Sequence, residues 1–299
     1  MKRAPMITIA VVLATAFAVT LGALGGISVR PAHAAFPGKN GKIAFEGKPL
    51  SIHTIRPDGS HRRRLTRNGR EPAFSANGKK IAFERDGDIW LMRANGSHKK
   101  RLTRGGAYDY SPSFSPSGKR IVFARLVFSN RDRNDVYTIR RDGTHLKRLT
   151  HIHFVGATVL GPQFSPNGRS IVFTHGLPYR IAIMRSNGSH RRFLTEAPGS
   201  GHDLWPDFSP SGRRIVFQRS LEGGGRLIYV MRRNGTHLRN IGSQFGISPA
   251  FSPSGERIVF ARVPQGRDWR LFTIKRDGSA LVGPLTNRSA QTPSWGVRP

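Results

Sequence analysis

Short apolar runs punctuate this chain at a long and nearly regular period. The anchors are Ile43-Ala-Phe, Ile81-Ala-Phe, Ile121-Val-Phe, Ile171-Val-Phe, Ile215-Val-Phe and Ile258-Val-Phe, and their isoleucines lie 38, 40, 50, 44 and 43 residues apart. Each run is β-branched and aromatic and too short for a helix, which predicts a buried strand. Five of them end the motif Pro-x-Phe-Ser-(Pro/Ala)-x-Gly-x-x-Ile-(Val/Ala)-Phe, at Pro72–Phe83, Pro112–Phe123, Pro162–Phe173, Pro206–Phe217 and Pro249–Phe260; a degenerate copy spans Phe36–Phe45. A second strand pattern follows each, as in Ile89-Trp-Leu-Met-Arg, Val136-Tyr-Thr-Ile-Arg and Ile228-Tyr-Val-Met-Arg. Ser115-Pro-Ser-Gly118 predicts a turn, with proline pre-setting φ and glycine accepting a positive one. Asp142-Gly143 predicts a two-residue hairpin whose central residues both take φ > 0. Units close on Leu-Thr, as at Leu149-Thr150. After residue 35 no segment sustains a 3.6-residue apolar period with caps, so the chain reads as all-β.

A repeat of this length matches one four-stranded propeller blade. Six such sheets bury both faces by stacking around an axis. The expected architecture is a six-bladed β-propeller of four-stranded blades over residues 35–299, with blades beginning near 36, 72, 112, 162, 206 and 249. The tail Gln291-Thr-Pro-Ser-Trp-Gly looks like the opening strand of a further copy. It is expected to add to the first blade at 291–297 and close the ring, with Trp295 as part of that closure. The units resemble the TolB-type propeller repeat, with its Phe/Trp-Ser-Pro-Asp-Gly-x-x-Ile-x-Phe and Ile-Tyr-x-Met-x-x-Asp-Gly-Ser patterns. Residues 36–296 carry the resemblance, which implies the fold and a protein-interaction scaffold in the cell envelope. The family's Ser-Pro-Asp-Gly turn is here Ser-Pro-Ser-Gly, Ser-Pro-Asn-Gly or Ser-Ala-Asn-Gly, all competent turns.

Residues 1–34 read as a signal peptide. Lys2 and Arg3 precede a largely apolar Ile7–Leu24, and Ala32-His33-Ala34 supplies a small-x-small cleavage site. The rival is an uncleaved anchor, because the apolar stretch is long. Either way the propeller is expected outside the cytoplasm, as a periplasmic, cell-surface or extracellular monomer. The chain has no cysteine, which excludes disulfides and a lipid-modified cysteine anchor. Its formal charge is +32, and removing Lys2, Arg3 and Arg30 with the leader leaves +29. Such a charge attracts polyanions at low salt.

Two groups of residues are candidates for binding. Histidine recurs after the hairpin glycine and its hydroxyl residue, with basic residues behind it: His61, Arg62, Arg63; His98, Lys99, Lys100; His145, Lys147; His190, Arg191, Arg192; His237, Arg239. Equivalent positions on six blades form a basic ring, suited to a polyanion such as a cell-wall polymer, lipid headgroup or nucleic acid. An exposed turn residue is the plainer account of each histidine, and their separation argues against a shared metal. The second group breaks the repeat, in loops expected to link one blade to the next: Glu71, Tyr108, Asp109, Tyr110, His202, Asp203 and Trp205. These are expected to line a channel mouth that takes a peptide or partner protein. The plainer account has the aromatics capping the core and the carboxylates pairing with arginines.

Catalytic motifs are absent from the sequence. It holds no His-Glu-x-x-His and no Gly-x-Ser-x-Gly. Asn95, Asn187 and Asn234 match glycosylation patterns but are the hairpin turns themselves. The reading is an exported binding scaffold with no catalytic residues, cofactor or metal. A lyase or hydrolase using Asp109, His202 and Asp203 is the enzymatic rival.

Overall fold

The computed structural model describes residues 36–128, 133–152, 158–196, 199, 201–242, 246–264 and 268–299. The expected leader lies outside the described residues. Every regular element described is a strand, and no described helix is long and apolar enough to cross a membrane.

Six antiparallel sheets make up the protein. We call the strands of each blade A to D from the axis outward. In blade 3 these are Tyr108–Phe114, Arg120–Val127, Arg133–Arg140 and Lys147–Arg148. The A strands of blades 2 to 6 are Arg70–Phe74, Tyr108–Phe114, Thr158–Phe164, His202–Phe208 and Ile247–Phe251. Ala290–Val297 supplies the A strand of blade 1 by pairing with Asn40–Gly47, so the first and last described strands share one sheet. Each A strand touches the A strands of both neighbouring blades, and the ring is closed. Blade 6 has three strands, and its outer edge is a single bridge between Thr273 and Val282.

The repeated residues are the packing. Phe45, Phe83, Phe123, Phe173 and Phe217 are fully buried, as are Ile43, Ile81, Ile121, Ile171, Ile215 and Ile258. Each such side chain stabilises the fold by roughly 1.5–3 kcal/mol through loss of apolar surface from water. The closing Leu-Thr acts through its hydroxyl. Thr103, Thr150, Thr195 and Thr286 each accept a hydrogen bond from the first N–H of the C-strand core, at Ile89, Val136, Ile181 and Leu271.

The C–D hairpin differs from the expected two-residue turn. Gly143 N–H bonds Arg140 C=O and Arg140 N–H bonds Thr144 C=O. Only Gly143 of the Asp-Gly pair takes positive φ, at 95°, and His145 follows at 55°. The Asp142 carboxylate instead accepts from the Thr144 N–H, 2.9 Å away, which fixes the turn locally. The glycine has a second constraint. A Cβ on Gly235 would sit 2.6 Å from the Leu194 carbonyl oxygen of the preceding blade. The same seat recurs around the ring, with Gly59 against Leu285 and Gly96 against Leu65.

The meander places A–B and C–D turns on one face of the disc. Backbone bonds join them within a blade, from Arg141 N–H to Lys119 C=O and from Arg233 N–H to Arg213 C=O. The D–A and B–C connections form the opposite face.

Candidate functional site

The segments expected to be inter-blade loops are the beginnings of the innermost strands. Tyr108, Asp109 and Tyr110 pair with Leu126, Arg125 and Ala124 before the register shifts, and pairing resumes at Ser113 and Val122. The same shift occurs in blades 2, 4, 5 and 6. Its cause is the residue before the motif proline. Glu71, Ser111, Gly161, Trp205, Ser248 and Thr292 all take φ between 47° and 57°, making a β-bulge that lets a proline without an N–H enter the strand. The displaced Ser111 N–H donates to the Glu71 carboxylate of the neighbouring A strand. Further along the A strands, Phe251 N–H donates to Asp207 Oδ2 at 2.7 Å and Phe74 N–H to Ser294 Oγ at 3.2 Å. Glu71, Ser111, Asp207, Ser248 and Thr292 are buried, so this layer around the axis is sealed from solvent.

Asp109 and Asp203 occupy equivalent positions two blades apart, and each is taken up inside its own sheet. Arg125 Nε and Nη2 donate to the two Asp109 oxygens at 2.6 and 2.7 Å. Arg219 does the same to Asp203 at 2.6 and 2.7 Å. The guanidinium groups also stand over Tyr137 and Tyr229, each 5.1 Å from the ring centre. The sequence reading missed Arg125 and Arg219. Their signal was position: each lies two residues after the motif phenylalanine, opposite the aspartate in the B strand.

The aromatics do gather. Tyr110, Tyr179 and Trp205 belong to one apolar cluster spanning blades 3 to 5, with Tyr108 packed at its edge. The Tyr110 hydroxyl donates to Val159 C=O at 2.8 Å and accepts from Asn134 Nδ2 at 2.6 Å. Burial pushes that hydroxyl's pKa far up. His202 meets Tyr179 edge-on at 5.0 Å, and burial holds its pKa below the usual histidine value. Tyr108 and His202 are half-buried, and Leu177 in the adjacent B–C turn is 60% exposed. Together they form an aromatic rim on the D–A face.

The ring residues sit at the other face. His61, His98, His145, His190 and His237 are exposed, with φ of 52–56°. Each ring Nδ1 lies 2.9–3.0 Å from the hydroxyl of the preceding Ser or Thr. Arg63, Lys99, Lys100, Lys147, Arg191, Arg192 and Arg239 are exposed, whereas Arg62 is half-buried over Phe45. A cleft of about 370 Å³ between blades 4 and 5 is lined by Arg213, Arg232 and Arg233. No three acidic, His or Cys side chains among the described residues group closely enough to hold a metal ion.

Residues 50–246 match the TolB beta propeller domain family. The chain belongs to that family. Among solved structures it resembles TolB from Acinetobacter baumannii, with a TM-score of 0.74 and 21% identity over 88% of this chain and 68% of that one. A putative TolB from Agrobacterium tumefaciens gives 0.68 and 21%, over 85% and 91%. An oligogalacturonate lyase in complex with manganese gives 0.62 and 11%, over 85% and 77%. No curated protein matches the chain.

Proposed function

We propose that this protein is an exported, non-catalytic scaffold of the cell envelope that binds a partner protein on its D–A face. The aromatic rim of blades 3 to 5 carries the reading. Tyr108, His202 and Leu177 present apolar surface where the repeat is broken, on a closed and rigid ring. Such surface on a fixed scaffold suits recognition. Family membership supports the same reading, since a propeller of this kind serves as a protein-interaction platform. The enzymatic rival draws its acid and base from Asp109, His202 and Asp203. Both oxygens of Asp109 and of Asp203 are instead occupied by arginine.

The test uses residues 35–299 on a solid support, challenged with envelope extract from the cell of origin. A protein retained by the wild-type chain should be lost by Tyr108→Glu with Leu177→Asp and kept by Lys119→Glu with Arg141→Glu. Retention that survives the first pair, or absence of any retained protein, overturns the reading. Export is checked separately, since protein recovered outside the cytoplasm should begin at Ala35.

A further inference from the structure

The A–B and C–D turns carry a charge that the opposite face does not share. In A–B turns 75–80, 115–120, 165–170, 209–214 and 252–257 and C–D turns 56–62, 93–99, 140–146, 185–191, 232–238 and 275–281, twenty Lys and Arg face four Asp and Glu. Every C–D turn contributes two cations. The described residues of connections 67–69, 102–107, 149–157, 194–201, 241–246, 284–289, 48–50, 86–87, 128–132, 177–179, 221–225 and 263–269 hold four of each sign. Three of the four acids on the basic face, Asp58, Asp142 and Asp277, are bonded into their own turns. The cations are close enough at Arg214 that burial, and then Arg276, Arg239 and Arg232, lower its pKa.

Apolar side chains stand among these cations. The residue after the turn histidine is Leu146 in blade 3 and Leu238 in blade 5, and Leu281 holds the equivalent place in blade 6. They are 46%, 40% and 41% exposed. In blades 1, 2 and 4 the same position is Arg62, Lys99 and Arg191.

We propose that this face docks the disc flat onto an anionic lipid bilayer. Cations on the turns of all six blades of one face match an extended surface, because many meet headgroups together. A single polymer strand would meet only the blades along its path. The attraction acts within a Debye length, about 8 Å at physiological salt, so the turn tips must lie against the surface. The exposed leucines suit the headgroup boundary, where apolar groups enter below a ring of cations. Arg213, Arg232 and Arg233 in their cleft fit a headgroup phosphate. The inference is independent of the partner on the opposite face.

Flotation of residues 35–299 with vesicles decides it, using phosphatidylcholine alone or mixed with phosphatidylglycerol. Binding should require phosphatidylglycerol and weaken steeply with salt. Lys119→Glu, Arg141→Glu, Arg169→Glu and Arg213→Glu together should weaken it at least about tenfold. Leu146→Ser with Leu238→Ser should weaken vesicle binding severalfold and leave retention on heparin unchanged, whereas Leu177→Ser on the other face should change neither. Thermal unfolding of each variant separates lost binding from lost folding. Binding equal on both vesicle types overturns the proposal. So does retention on heparin without flotation, which would identify a soluble polyanion as the ligand, or insensitivity of a folded variant to charge reversal.

Discussion

The A–B and C–D turns of one face repeat almost residue for residue, whereas the D–A and B–C connections of the other share neither length nor composition. The regularity has a packing cause. Five C–D glycines rest on the last leucine of the preceding blade and Gly278 rests on Ile241, and each turn is closed by its own Asp, Asn or Ser side chain. Only exposed positions are left free there, and cations fill most of them, with Leu146, Leu238 and Leu281 among them. On the other face the chain merely has to reach the next strand or the next blade, so length and side chain vary. Repetition therefore marks the blade contacts, and deviation marks where a partner-specific surface can be built.

The largest test of that contrast falls on a residue that deviates yet is structural. Asp203 is fully buried against Arg219. Asp203→Ala leaves a buried guanidinium without its anion and should cost about 3–5 kcal/mol in urea unfolding. Asp203→Leu with Arg219→Met should recover most of the loss, because the charge is removed with its partner. A loss below about 1 kcal/mol, the range of a solvated pair, would return Asp203 to the list of groups available for chemistry.

Next in size is a break on the regular face. Gly235 combines φ of 97° with the close carbonyl of Leu194. Gly235→Ala should cost about 1–3 kcal/mol, since the turn must adopt an unfavourable conformation and the blades must separate. Gly224 has φ of 89° and no atom near its would-be Cβ. Gly224→Ala should cost less, and the difference measures the inter-blade contact alone.

The fold was legible because each blade states its strands and turns anew, and Ile-Val-Phe runs have no other stable use at that spacing. The ring closure by Trp295 was legible for the same reason. The site was less so. Asp109 and Asp203 looked available because their arginines lie 16 residues downstream, across a hairpin whose register a bulge shifts. Sequence alone does not give that shift, since a residue before proline reads as a loop boundary. The segregation of charge between faces was hidden too, because A–B and C–D turns alternate along the chain and meet only in the folded disc.

A further effect is expected from pH. His53 stacks on Phe45 where blades 3 and 5 have tyrosine, and burial, then Arg62 and Arg64, hold its pKa at about 4. His175 stands where those blades have arginine, and burial, then Arg191 and Arg180, hold it at about 4. The unfolded chain takes up these protons near pH 6.5, and the folded chain takes them up only near 4. Stability is therefore complete above about pH 6.5 and falls as pH drops towards 4. The Tm should fall several degrees between about pH 7 and about pH 4.5. His53→Tyr with His175→Gln should flatten that slope, and an unchanged slope would assign it to other groups.

The smallest effect should come from the residue that looks most like a ligand. His145 sits at φ 55° with its ring on the Thr144 hydroxyl, and Ala280 holds the equivalent place at 50°. Histidine and asparagine tolerate that left-handed conformation readily, whereas a β-branched residue adopts it only at a cost in strain. His145→Asn should stay within about 0.5 kcal/mol of the wild type. His145→Val should lose about 1–3 kcal/mol through backbone strain. If His145→Asn kept the wild-type Tm but lost binding to anionic vesicles, the histidine would be a contact and not only a turn residue. If both variants track stability alone, the repeated histidines belong to the hairpin, and the attraction of this face resides in its lysines and arginines.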